Sequence, residues 1–167
     1  MLVVGMDPGY ERSAIVTFNS VTQQIVGHSE DVNESMLVDF RLAQNKGSVI
    51  LVIEKIESFG MPVGRETFET VFWSGRFAEA WHPKRVERIP RRQIKLHLCG
   101  HARATDSNIK QAIVDRFGPS TEKAIGRKAT PGPLYGIKQH CWAALAVALT
   151  WSDQHSGKVR PGVRPEF

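Results

Sequence analysis

The chain has 167 residues, 41% hydrophobic and 23% charged, the make-up of one ordinary soluble globular domain with a real core. No stretch approaches the roughly 18 apolar residues of a membrane span, Asp7 interrupts the N-terminal apolar run too early for a signal peptide, and two cysteines, Cys99 and Cys141, make no disulfide framework; a cytoplasmic protein with reduced thiols and no membrane contact is expected. The net charge of +5 hides a division, with 6 Lys/Arg against 11 Asp/Glu in residues 1–83 and 13 against 4 in residues 84–138, which fits an enzyme holding a polyanion such as nucleic acid over bound cations, or else a basic face that only keeps the chain in solution.

The apolar run Leu2 to Met6 reads as a buried strand that delivers Asp7 into the Pro8-Gly9 turn. Arg12 to Phe18 and Gln23 to Glu30 read as two further strands, completing an antiparallel meander. Ser35 to Gln44 predicts a short helix, and Ser48 to Ile53 a second buried strand that ends on Glu54. Arg65 to Trp81 predicts a longer helix, in which Phe68, Val71, Phe72, Gly75 and Ala78 recur at three- and four-residue steps as a core stripe or a dimer surface. Lys84 to Ile89 resembles a basic strand and Arg91 to Leu98 a short helix ending at Gly100. A further helix opens at Thr105-Asp106-Ser107 and stops at Gly118-Pro119. Ser120 to Pro133 reads as a polar loop, Ile137 to Trp151 as a central buried helix, and residues 154–167 as a flexible basic tail after a single domain spanning 1–153.

Two buried strands that each end in an acid bring carboxylates to one sheet edge, where open α/β sheets place their ligands. Facing carboxylates repel, and a divalent cation between them is the simplest resolution; two solvated strand ends are the plainer alternative. The cluster His97-x-Cys99-x-His101 has no partner pair at zinc-finger spacing, so no structural zinc is expected.

The order β-β-β-α-β-α-β-α with acids at Asp7 and Glu54 resembles the RNase H-like nuclease fold, and the details resemble its RuvC branch of Holliday junction resolvases. The resemblance rests on four motifs in order. They are Gly5-Met6-Asp7-Pro8-Gly9, Val52-Ile53-Glu54, the stretch Arg92-Gln93-Ile94-Lys95 through Gly100 to Ala104 with Ser107 and Ile109, and Ala143 to Thr150. It covers most of residues 1–151. The blocks Phe59 to Arg65 and Pro131 to Gly136 look like phage-encoded RuvC-like proteins. The implied fold is α/β, a mixed five-stranded sheet with its first three strands antiparallel, flanked by helices.

The resemblance implies a homodimer that nicks four-way DNA junctions using two divalent cations per site, Mg²⁺ with Mn²⁺ as a possible substitute, and no other cofactor. Four acidic positions hold those ions in the family. Two of them fall here on His140 and Ala143; a histidine occurs in the family at the first, whereas alanine ligates nothing. Where the family commonly has lysine this chain has Asp106, which either supplies the missing carboxylate or caps a helix. His140 is either a ligand or a helix-end histidine bonded to a backbone carbonyl. Asp7 is the expected bridging ligand, with Glu54 and His140 each completing one shell, Asp106 assisting and Lys95 holding the scissile phosphate. Arg85, Arg88, Arg91, Arg92, Arg103, Lys110, Arg127 and Lys128 are expected to track the DNA backbone. The family's stacking aromatic just past the second acid falls on Glu57, leaving Phe59 as a wedge or as a loop aromatic folded on the core. A non-catalytic reader of branched DNA and a nuclease on RNA–DNA hybrid or flap substrates are the competing functions. A sugar-kinase-like phosphate site needs two such domains, for which the chain is too short.

Overall fold

The computed structural model describes residues 1–43, 49–58, 60–82 and 85–156. Strands β1 (Leu2–Asp7), β2 (Arg12–Asn19) and β3 (Gln24–Val32) form an antiparallel meander, and helix α1 (Asn33–Leu42) leads to β4 (Val49–Lys55), which pairs in parallel with β1. Helix α2 (Arg65–Trp81) then returns the chain to β5 (Val86–Pro90), parallel to β4. The mixed sheet thus has the order β3-β2-β1-β4-β5, in agreement with the expected architecture. Helices α3 (Arg91–Cys99), α4 (Asp106–Phe117), α5 (Thr121–Ile125) and α6 (Cys141–His155) follow, with a two-residue ladder between β6 (Gly126–Arg127) and β7 (Thr130–Pro131).

Strand alternation divides the core in two. Val3, Ile50, Val52 and Ile89 face α6, α3 and α4, while Val4, Met6, Leu51 and Ile53 face α1 and α2, where Phe40, Trp73, Phe77 and Trp81 fill the second layer. Helix α6 is buried almost all round, as its composition predicts, and rests directly on β1. Gly5 makes that contact possible: a Cβ there would lie 2.2 Å from the Ala144 carbonyl oxygen and 2.7 Å from the Ala148 amide nitrogen.

Several expectations are corrected. The stripe of α2 that includes Phe68, Val71 and Phe72 is exposed, so it is not core; the buried face is Thr70, Trp73, Phe77 and Trp81, which recurs at the same steps. The segment read as a loop over 120–133 contains α5, capped by the Ser120 side chain, and the β6–β7 ladder. Helix α6 begins at Cys141 rather than Ile137, because Gly136 and Gln139 have φ of 87° and 40° and break the helical path. It continues to His155, two residues into the expected tail, of which residues 157–167 lie outside the described residues.

Candidate active site

The last paired residues of the parallel β1–β4 ladder are Met6 and Ile53, so Asp7 and Glu54 follow side by side, about 5 Å apart at the backbone. Alternation turns both toward the α6 layer, the side of Val3 and Val52. The turn after Asp7 is held by Asn33, fully buried at the start of α1: its Nδ2 donates to the Gly9 carbonyl at 3.0 Å and its Oδ1 accepts from Ser13 Oγ at 2.7 Å. Ser13 Oγ in turn accepts from the Gly9 amide at 3.2 Å, and a Cβ on Gly9 would meet the Arg12 carbonyl at 2.1 Å. A buried polar network of this kind fixes one conformation for the turn, and with it the carboxylate.

Helix α6 presents His140 at its start, with Nδ1 3.1 Å from Asp7 Oδ2. The reading of His140 as a helix-end histidine on a backbone carbonyl is therefore replaced by a carboxylate contact. β5 contributes the third charge: Arg91 follows its last residue, and its Nη1 donates to Glu54 Oε2 at 2.7 Å while Nη2 donates to Asp106 Oδ1. The helix cap at this point is Thr105, in a reciprocal capping box with Asn108, so Asp106 is not the N-cap; it stands in the first turn of α4, exposed and paired with Arg91.

Burial pushes the Asp7 carboxyl above the ordinary range, against the pull of His140 and Arg91. Burial likewise raises Glu54 despite Arg91, and the charge of Asp7 raises it further. Burial works against the Arg91 charge, yet Glu54 and Asp106 outweigh it and hold the guanidinium protonated. Two desolvated, mutually repelling carboxylates beside an imidazole make a donor set that fits a divalent cation of the Mg²⁺ or Mn²⁺ kind. Among the described residues no three His, Cys, Asp or Glu side chains are gathered closely enough to hold an ion as they stand, and Arg91 engages Glu54 and Asp106. Cys141, next to His140, is buried, and burial pushes its thiol up, away from nucleophile chemistry.

No family model matches the chain, and no curated protein matches its sequence. Solved structures do. The Thermus thermophilus RuvC structure superposes with a TM-score of 0.61 at 17% identity, covering 94% of this chain and 97% of that one. T. thermophilus RuvC in complex with Holliday junction substrate gives 0.56 at 16%, covering 94% and 96%. The chain has the RuvC fold.

On that fold the basic residues separate into groups. Arg92 and Lys95 of α3 line a cavity of about 550 Å³ together with Glu54, Glu57 and Arg91. Arg88 lies on the other side of the sheet, in a groove of about 440 Å³ shared with Glu54, Gly75 and Ala78. Lys110, one turn along α4 from Asp106, sits 5.0 Å above the Trp142 ring. Arg103 and Lys128 are exposed, and Arg127 pairs with Glu122 at 3.1 Å. Arg85 is not brought to the site: it precedes β5 at the opposite end of the sheet, paired with Glu87 beside Trp151. Phe59 lies outside the described residues, and Glu57 pairs with Lys55 at 2.7 Å. His97 bonds Asp153 Oδ2 at 2.8 Å in a clamp with Arg116. Sequence reasoning placed Arg91 among the backbone-tracking residues and missed its contact with the acids. The rule that found Asp7 and Glu54, a charge at the carboxyl end of a parallel strand, also applies to the residue after Pro90.

Proposed function

We propose that the chain is a RuvC-like, structure-specific endonuclease that nicks four-way DNA junctions and other branched DNA by divalent-cation-dependent phosphodiester hydrolysis. The observation that carries this reading is the pair of desolvated carboxylates, Asp7 and Glu54, set side by side at adjacent strand ends with His140 bonded to Asp7. A bound Mg²⁺ or Mn²⁺ supplies activation of a water and stabilisation of charge on the leaving oxygen. Asp7, Glu54 and His140 would hold the ion; Lys95 and Arg92, in the cavity they share with Glu54, would hold the phosphate. The water oxygen bonds to phosphorus as the bond to the 3′ oxygen breaks and that oxygen takes a proton, leaving a 5′-phosphate and a 3′-hydroxyl.

A four-way junction is two-fold symmetric, and a homodimer matches it by placing one site on each of two opposed strands. The exposed Phe68, Val71 and Phe72 of α2, on the layer away from α6, suit the contact between two copies. Arg103 and Lys110 would add salt-dependent backbone contacts. The enzyme would act in the cytoplasm; among the described residues no helix is long and apolar enough to cross a membrane.

One observation favours a second reading, a junction-binding protein without catalysis: Ala143 offers no donor where the resemblance puts an acid. The deciding experiment incubates the protein and Asp7→Asn with a labelled four-way junction, a flap, a matched duplex and an RNA–DNA hybrid, in Mg²⁺, Mn²⁺ or EDTA. Paired junction nicks that need both metal and Asp7 support the nuclease, whereas tight binding without cutting in any metal supports the reader. Cleavage confined to the hybrid would reassign the substrate.

A further inference from the structure

Three parallel strand ends meet at the site, and each delivers one charge: Asp7 from β1, Glu54 from β4 and Arg91 after β5. Ile89 pairs with Glu54 and Pro90 with Lys55 in the ladder, so the sheet sets Arg91 one residue past its last pair, from where the side chain reaches back to Glu54. Its guanidinium spans the two carboxylates that do not touch His140, one nitrogen on Glu54 and one on Asp106. We propose that Arg91 is the second positive charge of this site: the residues present fit no more than one divalent cation, around which Asp7, Glu54 and His140 would have to draw together, and the guanidinium fills the place a second cation would take. The proposal deepens the nuclease reading and rests on it.

Charge and donors agree. Asp7, Glu54 and Asp106 carry three negative charges, which one dication and one guanidinium balance. A second dication would have to draw on Asp106, whose side chain is 81% exposed and already bonded to Arg91, because Ala143 supplies nothing. At equal distance, repulsion by the guanidinium cancels the attraction of one carboxylate for such an ion. The guanidinium, charged as every arginine is, is only 27% exposed and held between its two partners, and its planar fork of donors suits a phosphate oxygen as well as a carboxylate. Asp106 is then a positioning residue that acts through Arg91, and its place in the first turn of α4, with Thr105 taking over the capping, leaves it free to do so.

The test counts bound Mn²⁺ by electron paramagnetic resonance titration of the wild type, Arg91→Gln, Arg91→Lys and Asp7→Asn, each checked for native circular dichroism, with junction cleavage measured in parallel. One ion per chain in the wild type and in Arg91→Lys, which keeps the charge, and two in Arg91→Gln are expected. Two ions in the wild type, or one in Arg91→Gln, would overturn the proposal and leave the nuclease reading intact. No ion in the wild type would overturn both. One ion in the wild type and two in Arg91→Gln, with no cleavage of any substrate, would support the ion count and end the nuclease reading alone.

Discussion

Replacing Gly5 with alanine tests the link between the fold and the site at a single atom. The added methyl would lie 2.2 Å from the Ala144 carbonyl oxygen, 2.7 Å from the Ala148 amide nitrogen and 2.8 Å from the Ala148 Cβ, where ordinary contact begins near 3.4 Å. Two of those three atoms are helix backbone, so no rotamer change relieves the overlap, and α6 must withdraw from β1 by roughly 1 Å. Overpacking costs about 1–3 kcal/mol, and the rigid neighbour puts this case at the upper end. Restricting the unfolded chain offsets about 0.4–1 kcal/mol, leaving a net loss of about 2 kcal/mol. For a chain of this size that lowers the melting temperature by roughly 4–8 °C. Urea unfolding followed by the fluorescence of the buried Trp73, Trp81 and Trp151 measures it. Ala144 lies one turn from His140, so Mn²⁺ affinity should fall as well. A variant within about 0.5 kcal/mol of the wild type, with unchanged Mn²⁺ affinity, would refute the claim that this contact sets the site.

Asp7→Asn should raise the melting temperature of the metal-free protein at pH 7 while lowering cleavage by more than about 100-fold: burial raises the Asp7 carboxyl, so its charged form destabilises the fold, and that cost disappears as pH falls through the raised value. Asp153 has the opposite sign. Burial opposes its charge, but the bonds from His97 and Arg116 hold it down from 3.8 to about 2, so its contribution is complete above pH 3.8 and is lost as pH falls toward 2. Asp153→Asn should therefore cost on the order of 2 kcal/mol in urea unfolding at pH 7 and little near pH 2. Arg92→Ala should weaken junction binding and reduce the slope of log affinity against log salt by about one, read by fluorescence anisotropy. Thr150→Val should stabilise the protein by about 1 kcal/mol in thermal denaturation, because the Thr150 hydroxyl is buried with no hydrogen-bond partner among the described residues.

The sheet and its two acids were legible because continuous apolar runs ending in Asp7 and Glu54 have few other physical readings. The inward turn of Arg91 was not. A basic run states that charge is present, but which cation meets a carboxylate depends on the β4–β5 register, a tertiary fact. Of the two readings of the α2 stripe, core or dimer surface, the exposure removes the first for a related reason: Phe68, Val71 and Phe72 are as apolar as Trp73, Phe77 and Trp81, and only the position of the sheet decides which stripe is covered. Asp106 looked like a cap because it opens the helix, yet Thr105 and Asn108, adjacent in the same string, satisfy the free amides reciprocally and release it.

The far end of α6 is pinned as firmly as its start is packed. Asp153 is gripped by His97 from α3 and by both terminal nitrogens of Arg116 from α4, and Arg116 also reaches Gln23 in the β2–β3 turn at 2.6 Å. From there to His140 the helix spans about 20 Å. It behaves as a rod clamped at one end and braced on Gly5 near the other, with the imidazole on the short overhang. Angular play at the brace therefore reaches His140 through a lever of little more than one turn. Loosening the clamp would tilt the rod about its brace and swing the imidazole away from Asp7 without any change in the residues that touch the carboxylate.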